Sequence, residues 1–395
     1  MSCLLKRCVI RFGLAVLTFA VLSLTLKRYL PDPLDIVEIP IFPKIDRGPK
    51  PYTLHLVHVI KGEASLARST TLLKSVFNYR GRLRSKTSEC HIRRIPSPHL
   101  CAKQRVIERI AIHLHLIVEQ RLLSAAYSYV SQWRVAHFNW TLYELDPYLP
   151  RVNWIPNHHN SGVAALSKML IPDVLPTNVT EAIVLDTDIL LNADILELWK
   201  LFDNFDQNQI FGMAWEFDPV NVKHNEVPIP KNGANSGVVL MHLSRMREAK
   251  WSKLFEWAVL KVLLIYGALP IGEQSALKIL IQKRPELYYR IPCEWNLQLW
   301  SEAAQISCPV IWTDRLPEEA ICPEYESPKH GNLSHPGRPN LVHNNLPVKP
   351  ESGGNTPSFF RTSLDTSKPQ TVDELRSRFL EVYWSFKSVP QNCFE

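Results

Sequence analysis

The sequence predicts an α/β domain with a parallel central sheet flanked by helices, and three observations carry that prediction. Short apolar runs of strand length alternate with stretches whose apolar residues recur at helical spacing. One of those runs, Ala182 to Leu185, ends in the acidic tip Asp186, Thr187, Asp188. The 395 residues, 46% of them hydrophobic, can also bury a large core.

The amino terminus stands apart from this pattern. Cys8 to Leu26 is apolar except for Arg11, with Lys6 and Arg7 before it and Lys27 and Arg28 after it. At about 1.5 Å per residue the run nearly crosses a bilayer of about 30 Å. A cleaved signal peptide shares the basic start, but this run is long for that role and lacks a small-residue cleavage pattern. The expectation is a cytoplasmic tail over 1–8, an uncleaved signal anchor over 9–26 and a luminal remainder. The flanking charges support that orientation only by a small margin. Proline-rich 27–51 reads as an extended stem, and the catalytic domain is expected over 52–395.

Within the domain, Leu54 to Ile60 reads as a strand, Lys61-Gly62 as a turn and Ser65 to Tyr79 as a helix. The stretch at about 85–104, with Pro96 and Pro98, reads as an insertion. Ala111 to Val118 and Phe138 to Tyr143 read as strands, with Glu119 to Gln132 as the helix between them. Ser161 to Leu170 is a short helix carrying Lys168. After the acidic tip, Ile195, Leu198, Trp199 and Phe202 mark a helix, with Asp194 and Glu197 as its cap. Asp218 to Asn232 is polar and irregular, and Asn235 to Leu240 leads into Trp251 to Tyr266 and Gly272 to Leu280, both helical. Leu341 to Pro350 carries His343 and Lys349 beside prolines, and Val372 to Phe386 is a terminal packing helix.

Charge and cysteine usage narrow the class. The net charge of +7 is partly concentrated between Arg80 and Arg109, which reads as a solvated loop or a surface for acidic glycans or phosphorylated acceptors. Nucleic acid is not expected for a luminal protein. Six cysteines lie beyond the anchor without zinc-site spacing; Cys90 could close the insertion with Cys101, and Cys322 could pair with Cys393, but connectivity stays open. Asn139, Asn178 and Asn332 head glycosylation sequons, with Asn178 in the most turn-like setting.

The chemistry centres on Asp186 and Asp188. Alone, such a pair also occurs in turns and caps, but Asp194 already supplies the cap here. Two carboxylates at the carboxyl end of a buried strand call for a cation between them, and that end is where open α/β sheets bind ligands. A divalent metal and a sugar nucleotide fit both conditions.

Taken in order, several motifs resemble the family 8 retaining glycosyltransferases, and most closely the xylosyltransferase domain of the LARGE xylosyl- and glucuronyltransferases. They are Val152-Asn-Trp-Ile-Pro-Asn-His, Ser161-Gly162, Leu175-Pro176, Ile183-Val-Leu-Asp-Thr-Asp, Asp194-Ile with Glu197-Leu-Trp, Asn235 to Leu240, Lys250-Trp251, Pro292-Cys293 with Trp295-Asn296, and His343. The resemblance implies a GT-A type fold with a mostly parallel sheet, a UDP-sugar donor, manganese, and a glycan or glycoprotein acceptor. By that analogy Asp186, Asp188 and His343 hold the metal, and Lys349 meets the diphosphate with Asp186 and Thr187 alongside. The backbone at Val57, His58, Val59 and Lys61 receives the uracil, and Lys168 lies near the donor sugar. Asn235 belongs to the catalytic group. The family's Asp-Gln pair becomes Glu273-Gln274 here, followed by Ser275, so a longer carboxylate stands at the first position. Cys293 and Cys308 match cysteines that pair in the relatives. The chain has room for one such domain, so the resemblance implies a single transfer, xylosyl by preference, by a Golgi type II protein. Glucose or galactose as donor, an inactive glycan- or partner-binding protein, and a homodimer remain open.

Overall fold

Alternation along Thr53–Ile60 (β1) sends Leu54, Leu56, His58 and Ile60 to one face and His55, Val57 and Val59 to the other. Leu54, Leu56, Val57, His58 and Ile60 are all buried, as expected of a strand inside a sheet covered on both sides. In this computed structural model the described residues are 17–18, 21, 39–43, 53–83, 88–92, 110–159, 162–217, 233–313, 337–353 and 368–395. Those from Ile41 onward belong to one compact unit.

The further strands are β2 (Ala111–Val118), β3 (Phe138–Glu144), β4 (Ala182–Leu185), β5 (Ile189–Leu191), β6 (Phe211–Trp215), β7 (Ala234–Met241), β8 (Tyr288–Arg290), β9 (Leu297–Gln298) and β10 (Leu341–His343). The main sheet has the order β3-β2-β1-β4-β7-β6-β8, and a small sheet has the order β5-β10-β9. In the main sheet β7 alone runs against its neighbours, β4 and β6. The expected mostly parallel α/β sheet is therefore present. Because β1, β4 and β6 share a direction, the residues that follow them, Lys61, Asp186 and Glu216, emerge at the same edge.

Helices follow the helical-period stretches: α1 (Glu63–Tyr79), α2 (Leu123–Val130), α3 (Gly162–Ser167), α4 (Ile195–Trp199), α5 (Trp251–Tyr266), α6 (Glu273–Lys283) and α7 (Val372–Ser388). The Asp194 side chain caps α4 by accepting from the Leu196 amide, as its position predicted. Helix α7 opens with a capping box between Thr371 and Glu374 and buries Leu375, Phe379, Val382 and Phe386. It is a packing element, as expected.

Four expectations change. The acidic tip does not pass directly to a helix; Ile189–Leu191 forms β5, because these apolar residues find an antiparallel partner in Leu341–His343. Glu119 to Gln132 is not one helix: a tight turn at Gln120–Leu122 precedes α2, and α4 tightens in the same way at Lys200–Asn204. Arg80 is not in a solvated loop; it is buried and pairs with Asp194 at 2.8 Å. Cys90 pairs with Cys393 rather than Cys101, so Cys322 is not the partner of Cys393 either. The physical reason is the carboxyl terminus, which bridges Leu83 through Phe394 and donates the Glu395 amide to Arg82, setting Cys393 beside the turn at Ser88–Cys90. Cys293 does pair with Cys308.

Asn178 is exposed in a turn, as expected of an accessible sequon, whereas Asn332 lies outside the described residues. So do most of the 85–104 insertion, all of 218–232, and the anchor over 9–26 apart from residues 17, 18 and 21, which are helical. Among the described residues no helix is long and apolar enough to cross a membrane.

Candidate active site

The site begins with the tip between β4 and β5. Asp186 leaves the sheet with its amide donating to the Gly237 carbonyl at 2.8 Å, and the Asp188 carbonyl accepts from the Asn344 amide at 2.9 Å. The second of these bonds continues the β5–β10 ladder, in which His343 stands opposite Ile189. Strand pairing thus carries His343 to the carboxylates across more than 150 residues of chain. Its Nε2 lies 3.4 Å from Asp188 Oδ1 and 3.8 Å from Asp186 Oδ2.

The imidazole is held from behind. His343 Nδ1 is 3.1 Å from Asn296 Oδ1, and Asn296 Nδ2 donates to Asn235 Oδ1 at 3.0 Å. Gly237 provides the space: a Cβ there would lie 2.1 Å from His343 Cε1 and 2.3 Å from Nδ1. A glycine is required at this point of β7 because the ring occupies the volume of a side chain.

Lysines face both carboxylates. Lys349 Nζ is 2.6 Å from Asp188 Oδ2, and Lys168 Nζ is 2.7 Å from Asp186 Oδ1 and 3.3 Å from Glu273 Oε1. Burial works against an ionised Asp188, but His343 and Lys349 outweigh it and hold its carboxyl well below the usual range. Burial likewise disfavours a charged Lys168, yet Asp186 and Glu273 prevail and raise its ammonium above the ordinary value. Lys168 is therefore a buried cation held between two carboxylates.

A second group of polar residues adjoins the first. Ser236 Oγ lies 2.6 Å from Glu273 Oε1, and Ser236 donates its amide to Gln274 Oε1 at 2.9 Å. Gln274 Nε2 in turn donates to Glu216 Oε2 at 3.2 Å. Glu216 also receives Asn235 Nδ2 at 2.9 Å and Trp300 Nε1 at 2.7 Å. Burial pushes the Glu216 carboxyl up despite these donors. The Gln298 side chain bonds the Trp215 carbonyl and the Phe217 amide, fixing the backbone on either side of Glu216. Ser275, by contrast, accepts the Ile271 amide at 2.9 Å and so serves the turn before α6.

The structure thus brings together Lys168, Asp186, Asp188, Asn235, Glu273, Gln274, His343 and Lys349. Thr187 sits at the rim, bonded by Arg68 Nε at 3.4 Å, while Arg68 also pairs with Glu351. Val57 and His58 are buried inside the sheet, the His58 ring against Ser69 Oγ at 2.7 Å. Strand β1 pairs with β4 at Leu56 and Val57, and Val59 and Lys61 run on past that ladder. Lys61 reaches the same edge, its Nζ 3.2 Å from the place of a Cβ on Gly162. Glu216 and Trp300 are the residues that sequence reasoning missed. Glu216 follows β6 as Asp186 follows β4, so the reasoning that picked out Asp186 applies to it equally.

Asp186, Asp188 and His343 each offer a ligand atom, all within 4.8 Å of one another, and so form a candidate metal site. Two carboxylates and an imidazole suit a divalent ion of moderate hardness, and Asp186, 31% exposed, opens the group to solvent. The residues fit a metal.

Sheet order, edge and acidic tip together define an open α/β sheet with a candidate ligand site at the carboxyl ends of its strands. The pattern of glycosyl transferase family 8 matches residues 99–350, and the chain belongs to that family. Among curated proteins it is 30% identical over 256 residues to the rat xylosyl- and glucuronyltransferase LARGE2, covering 64% of this chain and 33% of that protein. It is 31% identical over 205 residues to human LARGE1, covering 51% and 27%. The matched region therefore spans about a third of the length of these relatives or less. Among solved structures, mouse xyloside xylosyltransferase 1 in its apo form superposes with a TM-score of 0.50 at 20% identity, covering 74% of this chain and 98% of that one. The galactosyltransferase LgtC gives 0.50 at 14% identity, covering 86% and 98%. Both are GT-A type transferases, and the shared fold is of that type.

Proposed function

We propose that the protein is a retaining glycosyltransferase that moves a sugar, xylose by preference, from a UDP-sugar to a glycan or glycoprotein acceptor with manganese. One observation carries this reading: the Asp186, Asp188, His343 and Lys349 group meets the Lys168, Glu273 and Gln274 group at Asp186. Relatives named as xylosyltransferases support the choice of xylose.

Asp186, Asp188 and His343 would hold manganese, which when bound neutralises charge on the departing diphosphate. Lys349, now on Asp188, would turn to the diphosphate, a move of one ammonium between two anions. The backbone from Val57 to Lys61 would receive the uracil and Thr187 would line the diphosphate end. Lys168 would orient the donor sugar while keeping Asp186 and Glu273 apart. Gln274, braced by Ser236 and Glu216, would lie beneath the anomeric carbon, with Asn235 fixing Glu216. Glu273 would take the acceptor hydroxyl. The anchor over 9–26 and stem over 27–51 would place the 52–395 domain in the Golgi lumen, where disulfides and an exposed sequon at Asn178 are at home.

The test is UDP release by the purified full chain from UDP-xylose, UDP-glucose and UDP-galactose, with and without manganese. Manganese-dependent release that is fastest from UDP-xylose and lost on Asp188→Ala is expected. UDP-sugar binding without turnover on any acceptor would reassign the protein to binding, a reading favoured by Glu273 and Ser275. A chain that never binds UDP sinks the transferase reading altogether.

A further inference from the structure

Three histidines form a second polar cluster on the main sheet. His55 is the third residue of β1, His113 the third of β2 and His115 the fifth, with His55 and His113 in register. Alternation puts all three rings on one face. They lie in the amino-terminal and middle parts of β1 and β2, with His55 about 13 Å along the strand from Val59, the residue level with Asp186. Nothing in the proposed transfer uses them.

We propose that His55, His113 and His115 form a zinc site. One ligand-capable nitrogen from each lies within 4.8 Å of the others. His55 Nδ1 and His115 Nε2 are 2.9 Å apart, and the His113 and His115 rings stack at 4.4 Å between centroids. Tetrahedral zinc at about 2.0–2.1 Å from nitrogen needs ligands about 3.4 Å apart, and the stacked His113 and His115 rings reach that arrangement by turning out of their stack until both ring planes contain the ion.

The surrounding groups are arranged as supports for such ligands. His113 Nε2 is 2.8 Å from Thr141 Oγ1, and His115 Nδ1 is 2.9 Å from Tyr143 OH. With Thr141 and Tyr143 accepting these N–H groups, His113 Nδ1 and His115 Nε2 keep their lone pairs toward the cluster, the usual arrangement around a metal-bound imidazole. His55 and His113 are only half-buried, which admits the ion and leaves a fourth position for water. The Trp199 ring, 6.3 Å from that of His55, forms one wall.

Donor chemistry selects the ion. Three imidazoles without a carboxylate favour zinc over manganese, magnesium or calcium, the reverse of the acidic tip. The inference does not rest on the proposed transfer, and its failure would leave that proposal untouched.

The test counts zinc bound to the full chain by equilibrium dialysis and elemental analysis, in an Asp188→Ala background that disables the acidic site. One zinc per chain is expected, unaffected by excess manganese, and cobalt in its place should give the intense visible bands of tetrahedral coordination. His113→Ala in that background should lose the zinc, and Thr141→Val, which keeps all three imidazoles, should weaken it about 10- to 100-fold. Failure of the Asp188→Ala chain to bind zinc more tightly than about 10 μM overturns the site. So does retention of full affinity by a folded His113→Ala chain. Should circular dichroism show that His113→Ala does not fold, Thr141→Val decides: unchanged zinc affinity overturns the proposal, and a loss supports it.

Discussion

Two polar clusters share one sheet and are assembled in opposite ways. At the carboxyl edge, Asp186 and Asp188 are gathered with Lys168, His343 and Lys349 from separate parts of the chain, and each carboxylate has a lysine ammonium beside it, at 2.7 and 2.6 Å. Toward the amino edge, His55, His113 and His115 come together by the register of two adjacent strands and are neutral. The difference shows how burial sets the donor chemistry. A carboxylate survives partial burial only among cations, so the acidic cluster must recruit them from a distance. An imidazole sheds its proton instead, so the histidine cluster needs only neighbours and hydrogen bonds.

The sharpest way to break the comparison is to remove charge from the carboxyl edge. Asp188→Ala is expected to lower UDP release by about 10³-fold, read by product detection at saturating manganese. A loss below tenfold would mean that the acidic tip is not the centre of the chemistry.

Next comes the geometry that lets the imidazole reach the tip. Gly237→Ala sets a Cβ 2.1 Å from His343 Cε1, so the ring or β7 must move. A loss of about 10²-fold in turnover is expected, with a stability cost of about 1–3 kcal/mol measured by denaturant melting. Wild-type turnover would show that His343 has another resting place.

Glu273→Asp tests whether the longer carboxylate is a liability or a fitted part. In this structure the extra methylene brings Oε1 to Ser236 and Lys168, so shortening it should cost about tenfold in UDP release. A gain would mean that the acceptor side prefers the family's shorter residue.

The smallest effect concerns imidazole neutrality on the other face of β1. His58 is fully buried and lowered to about 3 by burial. A folded-state value below the unfolded one means that its stability contribution is complete above about pH 6.5 and is lost as pH falls toward 3. Between pH 7.5 and 5.5 the loss is about 1.4 kcal/mol. Urea melts of wild type and His58→Gln at both pH values check it: the variant should lose less on acidification.

The legible part of the fold was the part written in local pattern. Leu54 to Ile60, Ala111 to Val118 and Trp251 to Tyr266 declare period 2 or helical spacing over whole elements, and all three stand where they were expected. The β5 strand was not legible, since three apolar residues become a strand only when Leu341–His343 pairs with them. Cys90 was assigned a near neighbour because the carboxyl terminus shows no pattern that sends Phe394 to Leu83. Asp186 was conspicuous as a carboxylate after an apolar strand. Glu216 has the same placement, but it stands before a polar, irregular stretch, where a carboxylate is ordinary.

The sequence by itself determined the α/β alternation, the acidic tip and membership of the transferase family, because each depends on residues that are neighbours in the chain or follow one another in order. Only the tertiary structure decided which groups meet. His343 reaches Asp188 through an antiparallel ladder and the space left by Gly237, Glu216 after β6 meets Gln274 at the start of α6, and three histidines converge by strand register. Contacts of this kind depend on how distant segments pack, and packing is a property of the whole fold rather than of any stretch of it.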